Sequence, residues 1–87
     1  MEKAKYIVFD TDIAGPAAVI FPSFMIHAHM AMALGGVCGT PISAGFVEMN
    51  SGEIYVSGKS ISLGCKSRPR DVDIIERMFY EGSGNEF

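Results

Sequence analysis

From Ile13 to Val47 the sequence has no aspartate, glutamate, lysine or arginine. That absence excludes an ordinary amphipathic surface helix within the stretch, because such a helix keeps a charged side toward water. A membrane span needs about 20 predominantly apolar residues, and Ala17 to Val37 superficially supplies them. Pro22, Ser23, His27, His29 and the glycines nevertheless fit a soluble strand, turn and helix better. Cysteine is scarce: Cys38 and Cys65 are too few for a disulfide framework and point to a reducing, cytoplasmic setting. No export leader is read, because the apolar run Tyr6 to Phe9 is short and Asp10 and Asp12 interrupt it. The net charge of -3 gives no general attraction to nucleic acid. Neither a duplex nor a membrane is expected as a partner.

What is present is a globular composition, 48% hydrophobic and 20% charged over 87 residues. It is read as one domain over residues 1–82 followed by a flexible tail, 83–87. A chain of this size buries only about 60 to 65% of its unfolded surface, so its core is thin and self-association would help it.

The uncharged stretch centres on Ser23 to Leu34, which reads as a helix with Ser23 as N-cap and Gly35 as its end. An apolar surface all round asks for cover on more than one side. The helix is therefore expected to pack on its own sheet and, through Phe24, Met25, His29 and Met32, on a second copy or another protein.

Lys5 to Phe9 and Ala17 to Phe21 read as a hairpin across the turn formers of Asp10 to Pro16. Gly35 to Pro41 is a connection, and Ile42 to Met49 is a third strand. Asn50-Ser51-Gly52 forms a turn, and a returning strand starts at Glu53 with a bulge near Gly58. Ser67-Arg68-Pro69 announces a second helix running to Tyr80 and ended by Gly82, with Asp71 and Asp73 at its positive end. Val72, Ile75 and Phe79, with Ile74 and Met78, are its expected buried side. The order is ββαββα, an α+β domain with a four-stranded, mainly antiparallel sheet and two helices, each half repeating a ββα pattern.

Three chemical signatures fail on inspection. Tyr6 to Asp12 is similar to the first motif of haloacid dehalogenase-like phosphatases, whose nucleophile and general acid would fall on Asp10 and Asp12. The chain has no room for that family's remaining motifs, and aspartates bonding local amides in a hairpin loop explain the run. Gly58-Lys59-Ser60 resembles the end of a Walker A loop, but the spacing from Gly52 is one residue too long and a strand, not a helix, follows. His27 and His29 point to different helix faces and no paired cysteines join them. No metal, cofactor or catalytic residue is therefore assigned; one histidine is expected inside and the other nearer solvent.

One stretch does stand out. Ile54 through Arg70 contains no acid, yet it holds Lys59, Lys66, Arg68 and Arg70 among Ser57, Ser60, Ser62 and Ser67. A strand running into a helix N-terminus there is suited to an anion, with arginine and serine as donors. Tyr55, Lys59, Ser60, Ser62, Lys66, Ser67, Arg68 and Arg70 form the candidate ligand site, Tyr55 as a stacking surface. A solvated edge that protects the last strand is the plainer reading.

Val19 to Phe24 through His27, Met30, Ala31 and Leu34, then Ser43 to Val47, and finally Ser60-x-Ser62-Leu63-Gly64 through Ser67-Arg68-Pro69-x-Asp71, resemble small uncharacterised phage and prophage proteins. The resemblance implies action by binding, usually as an oligomer, such as blocking a host defence protein or sequestering a nucleotide signal. The expected function is a non-enzymatic, homo-oligomeric binding protein that holds a nucleotide or other phosphate-bearing small molecule. The alternative is a protein-interaction module whose methionine-rich helix docks on a host or virion protein.

Overall fold

The computed structural model describes residues 3–11 and 15–84. Strands β1 (Ala4–Thr11) and β2 (Gly15–Phe21) are followed by helix α1 (His27–Cys38). Next come β3 (Thr40–Asn50), β4 (Glu53–Ser57), the two-residue strands β5 (Lys59–Ser60) and β6 (Cys65–Lys66), and helix α2 (Asp71–Gly84). The main sheet has the order β2-β1-β3-β4 and every pairing in it is antiparallel. The expected α+β sheet with two helices is thus present, and a separate β5-β6 ribbon is added to it.

Side chains alternate across a strand, and the two helices use that alternation from opposite sides. Tyr6 and Val8 of β1 pack with Ala18, Val47, Ile54 and Ile75 beneath α2. Ile7 and Phe9 pack with Phe21, Ala44 and Ala31 beneath α1. β1 is therefore buried on both faces, which is why Tyr6-Ile7-Val8-Phe9 reads as an unbroken apolar run. Ile75, fully buried, contributes about 1.5 to 3 kcal/mol. The β1–β3 register shifts between Val8 and Phe9, whose partners are Ser43 and Pro41, leaving Ile42 as the extra residue of a bulge.

Several boundaries differ from the sequence reading. Ser23 does not cap α1. Pro22 to Met25 forms a turn instead, closed by the Met25 N–H on the Pro22 carbonyl, and the helix starts after Ile26. Gly35 does not end it either: the helix continues through Gly36 to Cys38, and Gly39, at φ 90°, is the stop. A side chain at Gly39 would meet the Asp10 carbonyl oxygen at 2.4 Å. Gly58 is not a bulge in a continuing strand. It turns the chain out of the main sheet at φ 74°, where a Cβ would touch the Phe46 ring at 2.9 Å. The Asn50-Ser51-Gly52 turn forms as read, with Ser51 and Gly52 at φ 54° and 81°.

In α2, Gly82 does not end the helix, which runs to Gly84 and takes in the first two residues of the expected tail; Asn85 to Phe87 lie outside the described residues. Phe79 is not buried. Ile75 fills the space over the sheet centre, and Phe79, one turn on, reaches only its margin beside Met49 and Ile54, staying 43% exposed. No helix among the described residues is long and apolar enough to cross a membrane.

Candidate functional site

After Gly58 the chain forms the β5-β6 ribbon, in which Lys59 lies directly opposite Lys66 and Ser60 opposite Cys65. Opposed residues of an antiparallel pair point to the same side, and like charges so placed repel. The turn between them runs from Ile61 to Gly64, closed by the Gly64 N–H on the Ile61 carbonyl, with Gly64 at φ 68°. Lys59, Ile61, Gly64, Cys65 and Lys66 line an open depression of about 420 Å³. Both lysines are exposed, as is Arg70, and none of the three forms an ion pair with another described residue.

The remaining candidates are occupied by the fold. The Arg68 guanidinium donates to Asp71 Oδ1 through Nε at 3.0 Å and through a second nitrogen at 2.9 Å. The Ser60 hydroxyl is buried and accepts from the Leu63 N–H at 3.2 Å. Ser67 donates its hydroxyl to the Gly58 carbonyl at 2.8 Å and its N–H to the same oxygen. Ser62 accepts the Ala28 N–H at 3.1 Å, so the basic turn caps the first turn of α1, which has no cap of its own. Tyr55 lies half-exposed on β4 and donates to Glu53 at 2.6 Å; that bond, then the charges of Glu53 and Glu48, push its hydroxyl pKa up. An acidic neighbourhood repels a phosphate, so the structure brings together Lys59 and Lys66 but gives Tyr55 and Arg68 other work.

Of the residues expected to face a partner, Phe24 (84% exposed), Met32 (80%) and His29 point outward. Met25 turns inward against the α1-side core. Its backbone carbonyl accepts from Lys5 Nζ at 2.7 Å, which sets a cation at the residue that follows Phe24. Sequence reasoning missed Ile26 and Ile61. Ile61 falls in the stretch read as the returning strand, whereas it heads a turn and is 87% exposed.

Two buried polar groups hold the sheet to its helices. Asp71 accepts from Tyr6 at 2.6 Å, Ser43 at 2.9 Å and the Arg68 N–H at 2.9 Å, the last being the reciprocal arm of a capping box. Burial, then the Asp71 bond and its charge, push the Tyr6 pKa far up, so this phenol stays a donor. His27, the inside histidine, donates through Nε2 to the Gly45 carbonyl at 2.9 Å and stands edge-on to Phe21 and Phe46. Burial and Lys5 push its pKa down against the opposing pull of the Gly45 bond. Every member of these sets has a partner inside the fold, which suits them to packing rather than turnover.

No group of three or more histidine, cysteine or acidic side chains among the described residues could hold a metal ion. Asp10 is exposed on β1, and Asp12 lies outside the described residues. The chain matches no family model, no curated protein and no solved structure.

Proposed function

We propose that this chain is a non-enzymatic binding protein that holds a phosphate-bearing ligand on the β5-β6 ribbon. The observation that carries this reading is the pairing of Lys59 with Lys66: two exposed lysines face one another over one depression with no acidic partner. A dianionic group between them turns repulsion into two charge-assisted hydrogen bonds. The free thiol of Cys65 suits a reducing compartment such as the cytoplasm. The likeness to small phage proteins adds nothing to this reading, which stands on the geometry of the ribbon.

Titration with inorganic pyrophosphate and with ATP tests it. The double variant Lys59→Gln/Lys66→Gln is expected to weaken binding about a hundredfold or more, at about 1.5 to 3 kcal/mol for each of the two charged hydrogen bonds. Arg68→Gln is expected to lower stability instead, because it strips Asp71 of its counter-charge. Unchanged affinity in the lysine variant overturns the reading.

A second reading rests on the outward side of α1. His29 and Met32, about one turn apart on α1, are both exposed and carry no formal charge, which suits self-association or docking on another protein. Met32→Glu is then expected to convert an oligomer into a monomer by light scattering, and a wild-type monomer removes the idea.

A further inference from the structure

We propose that the ligand of the lysine ribbon is the headgroup layer of an anionic phospholipid surface, with Ile61, Phe24 and Ile26 entering its apolar margin. The inference rests on the phosphate-binding reading above and names its ligand class.

The ribbon and the start of α1 form one surface, because Ser62 is hydrogen-bonded to Ala28. That bond sets Ile61, next in the chain to Ser62, beside the entry to α1, two residues beyond Ile26. Ile61 also lines the same depression as both lysines. Ile61 and Ile26 are thus 87% and 47% exposed at this junction, and Phe24, in the turn that leads into α1, is 84% exposed. Singly exposed apolar residues need no explanation, but a cluster of them marks a surface that meets something.

Charge chooses the occupant. The segments that build this surface, 22–33 and 59–66, contain no acidic residue, although the chain as a whole carries ten acids against seven lysines and arginines. The cations present are Lys59 and Lys66 on the ribbon and Lys5, anchored on the Met25 carbonyl next to Phe24. A second copy would bring the same cations to the contact and repel. A layer of anionic headgroups complements them, and its hydrocarbon margin accepts isolated protruding side chains without a matching pocket.

The depression favours a phosphate attached to hydrocarbon over a wholly polar ligand. Its wall between the lysines is Ile61, Gly64 and Cys65, and the one hydroxyl there, on Ser60, is buried and already engaged. Docking of this kind needs no membrane-crossing segment, so the sequence argument against a span does not bear on it.

Co-sedimentation of the full chain with phosphatidylcholine vesicles, with and without phosphatidylglycerol, tests the inference alongside the pyrophosphate titration. Binding is expected only to the anionic vesicles, falling with salt. Each of Lys59→Gln and Lys66→Gln should weaken it about fivefold. Ile61→Ser and Phe24→Ser, both on exposed side chains, should each weaken it about tenfold, and Phe24→Ser, which lies outside the depression, should leave pyrophosphate affinity unchanged. Wild-type protein that binds pyrophosphate but no vesicle overturns the lipid surface and leaves the phosphate reading standing. Protein that binds neither overturns both. Equal binding to pure phosphatidylcholine, or a dimer that Ile61→Ser dissociates, overturns headgroup recognition in favour of plain apolar adsorption or of a second copy.

Discussion

Helix α2 starts on its own carboxylate, Asp71, which reaches back to the Arg68 N–H and outward to Tyr6 and Ser43. Helix α1 starts after Ile26, an apolar residue, and takes its cap from Ser62, 34 residues from Ala28 in the chain. On the α2 side an apolar stripe faces the sheet, Asp73 is exposed, and Glu76 stays half-buried at the sheet's margin beside Ile54 and Phe79. On the α1 side there is no charge to sort, and the helix is placed by His27 and the small Ala31. A helix fixed by its own charges presents an ordinary solvated back. A helix fixed by its neighbours keeps an apolar back, and here that back carries no acid from Pro22 to Ala33.

The contrast breaks most visibly at Asp71. Asp71→Ala leaves Arg68, Tyr6 and Ser43 without their acceptor, and loss of one partner of a buried ion pair costs about 3 to 5 kcal/mol. The urea midpoint should fall accordingly with little change in slope. A loss below about 1 kcal/mol would mean that α2 is held by Ile75 and its apolar neighbours alone.

The corresponding change for α1 is smaller. Ser62→Ala should cost about 1 kcal/mol, the usual worth of a helix cap, and speed amide exchange at Ala28 while the α2 amides stay protected. Equal acceleration in both helices would show that the ribbon supports the whole fold rather than α1.

The smallest effect sharpens the comparison through pH. His27 has a folded pKa below its ordinary 6.5, so the unfolded chain takes up a proton first as the solution is acidified. Stability is then full above pH 6.5 and declines below it, until the folded His27 is itself protonated. The decline is limited because the Gly45 carbonyl opposes burial. His27→Asn, compared between pH 5 and 7 by thermal melting, should flatten that slope; an unchanged slope assigns it elsewhere.

Much of the frame was legible in the sequence because its signals are local. The β1–β2 hairpin, the Ser51-Gly52 turn and the Pro69-to-Asp71 helix start each depend on residues within a few positions. The misplaced features depend on distant ones. Ser23 has the chemistry of a cap, but Pro22 to Met25 is closed into a turn, and His27 is held by Gly45 from another strand. The Asp71 partners Ser43 and Tyr6 stand 28 and 65 residues away, and no spacing rule announces them. Gly58 reads as a bulge because a glycine inside a strand run commonly marks one. The close approach of Ser57 and Ser67 to Gly45, where a Cβ would lie 2.6 Å from the Ser57 carbonyl oxygen, is visible only in three dimensions. For the candidate site, the pattern found Lys59 and Lys66 together with Arg68, because composition does not distinguish a free cation from one already bound to a buried acid.

The long reach of the Ser62 cap also orders events in time. Short isolated helices are marginal in water because the first turn is costly to nucleate. Residues 27–38 are synthesised before Ser62, so until Ser62 is made and the ribbon has formed, the chain carries α1 without its cap. The sheet's central strands and the ribbon must assemble before the helix becomes durable, which makes α1 a late element of folding and the segment most in need of protection until synthesis is complete.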